Sequence, residues 1–144
     1  MDSIIKDPAL APAGQDKIAW VKDFMPVLNA LNDRYSKEKP FAGAKIAASI
    51  HLEAKSAYLC QVLKNAGAEV AVTGCNPLST KDDVCAALAQ SGVTVRSWFG
   101  MSEEEYFAHI EKTLEFKPHL IIDDGGDFVS VLHGSHPEYA AELI

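Results

Sequence analysis

The feature that most constrains this fold is an alternation of short apolar runs and helical patterns through residues 44–123. Strands are predicted at 44–50, 68–74, 93–98 and 119–123, and helices at 52–67, 78–92 and 102–116. Strands and helices that alternate through short connections predict a parallel sheet covered by helices. Because the strand runs are apolar throughout, we expect both faces of the sheet to be covered.

A long helical pattern precedes this alternation, in the segment "APAGQDKIAWVKDFMPVLNALNDRYSKEKP". Its apolar residues recur at spacings of three and four, which predicts one buried face along a helix. Pro26 lies inside the pattern and lacks a backbone N–H, so it should kink the helix or split it near Phe24. The chain is therefore predicted to be an α/β domain with a mostly parallel sheet of four or more strands, preceded by a long N-terminal helix.

Two helix starts carry capping signals. Ser79 is the predicted N-cap of the second helix of the alternation, with Asp82 three residues later. Ser102 is the predicted N-cap of the third helix, and Glu105 stands where a capping box requires it.

Charge and composition exclude several classes of function. The net charge of −7 argues against nucleic acid as a partner, because phosphate binding needs a basic surface. No apolar run approaches the roughly 18 residues of a membrane span, and the N-terminus does not resemble a signal peptide, so we expect a cytoplasmic protein with no membrane contact. Cys60, Cys75 and Cys85 are too few and too scattered for a disulfide framework or a zinc site, and are expected to be buried thiols.

Polar residues follow each predicted strand, where a parallel sheet opens a ligand crevice. The candidates are His51 and Glu53, Cys75 and Asn76, Trp98 to Gly100, and the aspartates of "IIDDGGDF". A lone histidine such as His51 is often structural, but several polar strand ends together favour a shared site. Ser79 is either only a helix cap or a cap that also offers its hydroxyl to a ligand.

The segment "IIDDGGDF", residues 121–128, allows three interpretations. A metal site would need oxygen ligands at regular spacing, which Asp123, Asp124 and Asp127 do not provide. The aspartates and glycines could instead only shape a turn and a helix start. The third interpretation is that the carboxylates perform acid–base chemistry or bind hydroxyl groups. No G-x-G-x-x-G segment follows any predicted strand, so a dinucleotide site within this chain is not supported.

Four segments together resemble one family. They are "LAPAGQDKIAWVKDFMPVLNAL", "KPFAGAKIAASIHLEAKSAYL", "GAEVAVTGCNPLSTKDDVCAALA" and "LIIDDGGD". They are similar, in order and from about Leu10 to Asp127, to the N-terminal part of S-adenosyl-L-homocysteine hydrolase (adenosylhomocysteinase). The resemblance implies a Rossmann-like three-layer substrate domain and a hydrolase that splits S-adenosyl-L-homocysteine reversibly into adenosine and L-homocysteine. That family oxidises the ribose 3′-hydroxyl with bound NAD before elimination and water addition.

The resemblance also implies roles for individual residues. His51 and Asp124 match catalytic residues near C5′ of the substrate, and Asp124 also contacts the ribose. Glu53, Lys55 and Ser56 match the wall that recognises adenine, and Ser79 matches the rim of the same pocket. Glu53, Ser56 and Lys81 depart from residues common in the family, which affects the adenine contacts more than it affects His51 or Asp124.

The chain stops before the segments that serve the ribose 3′-hydroxyl and before the NAD-binding domain of that family. We therefore expect residues 1–144 to be a single substrate-binding domain, truncated before the NAD domain, that binds no metal and is inactive in isolation. A stand-alone nucleoside-binding or regulatory domain without catalysis is the alternative. The full-length family is usually a homotetramer that acts on a small-molecule substrate.

Overall fold

In the computed structural model, which describes residues 2–144, the four strands and the three helices between them follow one another in the predicted order. The strands are β1 (Lys45–Ile50), β2 (Glu69–Gly74), β3 (Thr94–Arg96) and β4 (Leu120–Asp123). The α-helices are α1 (Ala11–Lys22), α2 (Pro26–Glu38), α3 (Ala54–Asn65), α4 (Asp82–Gln90), α5 (Glu103–Leu114) and α6 (Asp127–His133). Short 3₁₀ helices lie at Pro8–Leu10 and Pro137–Glu142.

All four strands are parallel and stand in the order β3-β2-β1-β4. The register pairs Ala48 of β1 with Val72 of β2 on one side and with Ile122 of β4 on the other. The N-terminal segment adds an isolated parallel bridge from Ile4 to Arg96, so it covers part of the free edge of β3. The α/β class and the parallel sheet are thus confirmed.

Helices cover both faces of the sheet, which confirms the three-layer arrangement. Ile46, Ala48 and Ile50 of β1 belong to a core that includes residues of α1, α3 and α4. Ala47 points to the opposite face, where it belongs to a second core formed with α5 and α6. Because successive side chains of a strand face opposite ways, a strand buried on both sides reads as an unbroken apolar run.

The predicted N-terminal helix is split into α1 and α2 around residues 23–25. Pro26 is the first residue of α2, where its missing N–H costs nothing because that group has no partner within the helix. The prediction of a kink or split near Phe24 is confirmed, but the single long helix is two helices. Ile18 and Val21 are buried, whereas α2 has no buried residue.

The start of α4 differs from the prediction. This helix begins at Asp82 with Lys81 as N-cap, and no side chain caps it. The prediction that Ser79 is the N-cap was therefore wrong, and Asp82 is the first helical residue. At α5 the capping box is confirmed, since Ser102 Oγ accepts from Glu105 N at 3.2 Å and Glu105 Oε2 accepts from Ser102 N at 2.8 Å.

Within residues 2–144, no helix is both long and apolar enough to cross a membrane.

Candidate functional site

The candidate site lies where the carboxyl ends of β1 and β4 meet. From β1 the chain proceeds to β2 and β3 on one side, whereas β4 pairs with the other side of β1. Such a reversal of strand order opens a crevice at the carboxyl ends of the two strands, which is where open α/β sheets bind ligands. His51 directly follows β1 and Asp124 directly follows β4, so the topology places both at this crevice.

His51 and Asp124 face each other across the crevice. The distance from His51 Nε2 to Asp124 Oδ2 is 3.6 Å, and the two side chains are 49% and 54% exposed. The other ring nitrogen, Nδ1, lies 2.6 Å from Ser79 Oγ. The imidazole ring is thus oriented from one side by a hydroxyl and presents its other nitrogen to a carboxylate, in a position open to a ligand.

The turn after β2 delivers Ser79 to the ring. Asn76 Oδ1 accepts from Leu78 N at 2.9 Å, and the Asn76 carbonyl oxygen accepts from Ser79 N at 3.1 Å. These bonds close the predicted turn at Asn76-Pro77. Ser79 Oγ can also donate to the Asn76 carbonyl oxygen, 3.0 Å away. Ser79 therefore orients the imidazole instead of capping α4.

The three aspartates of the β4–α6 turn have different contacts. Asp123 Oδ1 accepts from Gly126 N and Asp123 Oδ2 from Val129 N, both at 3.0 Å, so the turn-shaping interpretation of this segment applies to Asp123. Asp127 begins α6, and its Oδ2 accepts from the Tyr106 hydroxyl at 2.6 Å. Asp124 accepts no backbone N–H among the described residues and contacts His51 and Cys75 instead.

Cys75 lies at the crevice, as its position after the second strand predicted, but the expectation that its thiol is buried was wrong. Cys60 and Cys85 are buried as expected, but Cys75 is half-buried at the crevice, where its thiol donates to Asp124 Oδ2 at 3.6 Å. Burial and this hydrogen bond raise the pKa of the Cys75 thiol to about 11, so the thiol is protonated near neutral pH. The thiol reaches Asp124 because Cys75 directly follows β2, and β2 adjoins β1 in the sheet.

The predicted adenine-binding residues divide between two cavities. Glu53 and Lys55, with Lys81 and Trp20, line a cavity of about 550 Å³. Lys55 and Ser56, with residues of α2, line a second cavity of about 530 Å³. Lys55 lines both cavities, whereas Glu53 lines only the first and Ser56 only the second. Neither lining includes His51 or Asp124.

The residues after β3 do not take part in the site. Trp98 is partly buried and packs edge-on against His109, with 4.7 Å between ring centroids. Phe99 N donates to Asp82 Oδ1 at 2.7 Å, at the start of α4. The site is therefore built from the ends of β1, β2 and β4.

These features define a class: a three-layer α/β domain with a histidine and a carboxylate facing each other at the reversal of its strand order. The family model described as S-adenosyl-L-homocysteine hydrolase matches residues 2–143, and the chain belongs to this family.

Relatives agree with that assignment. The chain is 49% identical over 140 residues to the S-inosyl-L-homocysteine hydrolase of Methanopyrus kandleri, which covers 97% of this chain and 33% of the relative. It is 48% identical over 142 residues to the adenosylhomocysteinase of Pyrococcus abyssi, which covers 99% of this chain and 34% of that protein. The S-inosyl-L-homocysteine hydrolase of Methanocaldococcus jannaschii is 48% identical over 134 residues. The chain thus spans about a third of the length of these curated relatives.

Proposed function

We propose that this chain is the nucleoside-binding part of an enzyme that hydrolyses S-adenosyl-L-homocysteine to adenosine and L-homocysteine. The observation that carries the proposal is the His51–Asp124 pair, 3.6 Å apart at the strand-order reversal of a chain that belongs to this family. The family match favours this function over a stand-alone nucleoside-binding or regulatory domain. Activity, a homotetramer and use of NAD are proposals for a longer protein of this family.

His51 is the proposed acid–base residue at C5′. Departure of homocysteine requires a proton at the sulfur atom, and addition of water at C5′ requires removal of a proton from the water oxygen. One imidazole serves both steps in succession if Nε2 first gives and then takes the proton. Ser79 at Nδ1 fixes the direction in which Nε2 points, and Asp124 lies on the Nε2 side.

Asp124 is the proposed ribose contact as well as the partner of His51. Its carboxylate is exposed and accepts no backbone N–H among the described residues, so its oxygens are open to ribose hydroxyl groups. Glu53, Lys55 and Ser56 are the proposed contacts of the base, since Glu53 is the N-cap of α3 and Lys55 and Ser56 lie on its first turn, close in sequence to His51. Ser56 lines a different cavity from Glu53, so it would contact another part of the base. The carboxylate of Glu53 does not cap α3, so it is not engaged by the helix it precedes.

The residues of this chain do not fit the pyrophosphate of NAD. Dinucleotide sites need a glycine-rich turn between a strand and a helix, where the backbone approaches the phosphates closely. The β1–α3 turn is His51-Leu52-Glu53, with Leu52 fully buried, and the β2–α4 turn contains no glycine. The β4–α6 turn contains Gly125 and Gly126, but the carboxylates of Asp124 and Asp127 flank them and would repel a pyrophosphate. No step is therefore derived through NAD, and we expect this chain alone to release no homocysteine. Release of homocysteine from S-adenosyl-L-homocysteine by the 144-residue chain supplied with NAD would contradict this.

Calorimetric titration with adenosine tests the proposed site. We expect weak binding to the 144-residue chain, reduced at least tenfold in His51→Ala and in Asp124→Asn, because each variant removes a proposed ligand contact. Asp33→Asn, at an exposed carboxylate on α2, is the matched control and should bind like the unchanged chain. Equal affinity in all four proteins would refute the assignment of His51 and Asp124.

S-inosyl-L-homocysteine is a second candidate substrate, favoured by the names of two relatives and compatible with Glu53 and Lys55, which line one cavity. A carboxylate only accepts hydrogen bonds and an ammonium only donates them. Hypoxanthine offers an N1–H donor beside an O6 acceptor, whereas adenine offers an N6 donor beside an N1 acceptor. A Glu–Lys pair therefore complements either base, with the two side chains exchanging edges of the ring.

A comparison of inosine with adenosine separates the two substrates. If the base is hypoxanthine, inosine should bind at least tenfold more tightly, and Lys55→Met should abolish the difference because the donor to O6 is lost. Lys37→Met, on the exposed face of α2, is the control. Tighter binding of adenosine that survives in Lys55→Met would exclude the second candidate.

A further inference from the structure

Three potential metal ligands of different chemistry converge at the candidate site. His51 after β1, Cys75 after β2 and Asp124 after β4 each offer one atom, and these atoms all lie within 4.8 Å of one another. Asp124 Oδ2 is the common neighbour, 3.6 Å from His51 Nε2 and 3.6 Å from Cys75 Sγ. The cluster is thus assembled by the order of the strands and not by a local sequence motif.

These separations are close to those of a tetrahedral zinc site. Zinc binds nitrogen and carboxylate oxygen at about 2.0–2.2 Å and sulfur at about 2.3 Å. At tetrahedral angles these bond lengths place nitrogen and oxygen about 3.3 Å apart and sulfur and oxygen about 3.5 Å apart. The two 3.6 Å separations from Asp124 Oδ2 would shorten by a few tenths of an ångström when an ion binds. The separation between the His51 nitrogen and Cys75 Sγ, which is within 4.8 Å, would shorten by up to about 1.3 Å.

The surroundings of His51 supply the outer hydrogen bond that metal-bound histidines need. A ring that binds metal through Nε2 must keep its proton on Nδ1 and donate it to a neighbour. Ser79 Oγ lies 2.6 Å from Nδ1 and can accept that proton, because its own hydroxyl proton can go to the Asn76 carbonyl oxygen 3.0 Å away. The ring is therefore already oriented for coordination through Nε2.

The kind of ion follows from the ligands and the charge. A thiolate, an imidazole and a carboxylate suit zinc, whereas magnesium and calcium prefer sites made of oxygen alone. Binding of zinc displaces the proton of the Cys75 thiol to solvent, and the resulting thiolate and the carboxylate together neutralise the divalent cation. His51 and Asp124 are about half exposed, so an ion can enter, and a fourth position remains for water.

We propose that His51, Cys75 and Asp124 form a three-ligand site for Zn²⁺, and that the bound ion competes with the nucleoside. The site goes beyond the proposed hydrolase function, whereas the competition rests on it, since an Nε2 bound to zinc can no longer exchange a proton. Zinc binding at this crevice is then inhibitory.

Replacement of zinc by Co²⁺ tests the site directly. The 144-residue chain with one equivalent of Co²⁺ should show the visible bands of tetrahedral cobalt and a thiolate-to-cobalt charge-transfer band, both lost on addition of Zn²⁺. Cys75→Ser should lose the charge-transfer band, and both Cys75→Ser and Asp124→Asn should weaken binding by at least about tenfold. Circular dichroism spectra should show that both variants are folded.

His136→Ala is the matched control. His136 also lies close to carboxylates, with Nδ1 2.9 Å from Glu138 Oε1 and Nε2 3.7 Å from Glu111 Oε1, but it has no thiol beside it. This variant should give the cobalt spectrum of the unchanged chain. Absence of tetrahedral bands in the unchanged chain, or a charge-transfer band that persists in Cys75→Ser, would overturn the site.

A second measurement tests the competition. Saturating Zn²⁺ should weaken adenosine binding to the unchanged chain at least tenfold, and in Cys75→Ser the ratio of the Kd values with and without Zn²⁺ should fall towards one. If the cobalt spectrum is as expected but Zn²⁺ does not change the affinity for adenosine, the proposed competition is refuted. If the chain binds no adenosine, the nucleoside proposal fails while the cobalt spectra still decide the metal site.

Discussion

At the scale of single residues, the three aspartates of the β4–α6 turn have different structural roles because their carboxylates have different hydrogen-bond partners. Asp123 is committed to two backbone N–H groups, and Asp127 to the hydroxyl of Tyr106. Asp124 stands between them and accepts no backbone N–H among residues 2–144. A carboxylate that is not used to hold its own turn is the one available to a substrate.

The buried His109 gives a residue-scale prediction about pH. Burial lowers its pKa below the ordinary 6.5, so the folded chain keeps this ring neutral where the unfolded chain protonates it. The unfolded state then binds more protons below about pH 6.5, and the free energy of unfolding should decrease as the pH falls through this range.

Urea denaturation at pH 7.5 and pH 5.5 measures this effect. The loss of stability between the two pH values should be smaller in His109→Gln than in the unchanged chain, since glutamine does not titrate. His133→Gln, at an exposed histidine, should retain the loss of the unchanged chain. A His109→Gln variant with an undiminished loss would contradict the prediction.

At the scale of helices and strands, what matters is how closely two elements approach. Helices α1 and α4 pack against each other at Gly14, where an added Cβ would overlap the carbonyl oxygen of Asp83 and come within 2.9 Å of the Ala87 Cβ. The same contact is reinforced on the surface by Lys17 Nζ and Asp83 Oδ2, 2.5 Å apart. The glycine is needed here because backbone, not a flexible side chain, occupies the space.

Gly14→Ala should therefore destabilise the chain by about 1–3 kcal/mol, because α1 has to move away from α4. A decrease in the free energy of unfolding would be informative, since Gly→Ala at an exposed position within a helix normally stabilises the helix by about 1 kcal/mol. Thermal and urea denaturation measure the change. Asp16→Ala, at an exposed position of the same helix, should shift stability by less than about 0.5 kcal/mol. A Gly14→Ala variant as stable as the unchanged chain would show that the helices separate without cost.

At the scale of the whole molecule, the protection of backbone amides against hydrogen exchange should be greatest in the centre of the sheet and lowest in the outer helices. Strand β1 is hydrogen-bonded on both sides, to β2 and to β4, and its residues 46–50 are buried. Among the described residues, strand β4 pairs only with β1, and α2 has no buried residue. The centre of the sheet should therefore open only in the global unfolding of the chain, whereas α2 can open locally.

Hydrogen–deuterium exchange resolved by residue tests this order. Amides of Ile46–Ile50 should exchange most slowly, those of Leu120–Asp123 faster and those within α2 faster still. Repeating the experiment in mild urea should accelerate exchange in β1 more than in α2, because urea promotes openings in proportion to the surface they expose and local openings expose little. Protection of α2 equal to that of β1 would contradict the layered core.

How far sequence predicts structure here depends on the reach of each interaction. The capping box at Ser102 and Glu105 and the helix boundary at Pro26 were predicted because all their partners lie within a few residues. The prediction for Ser79 failed because its hydroxyl meets His51, 28 residues away in the sequence. The argument against a metal weighed the aspartates of one turn, and the thiol and imidazole that join Asp124 come from two other strand ends.

The sequence by itself determined the class of fold and the strand ends that carry polar residues, because periodicity and turn residues are local properties of a chain. Only the tertiary structure decided the strand order β3-β2-β1-β4, since side-by-side pairing depends on how helices pack across the sheet. That order brings Cys75 beside His51 and Asp124 and leaves the end of β3 outside the site. The residues of the crevice are thus far apart in the chain, and the packing of the layers brings them together.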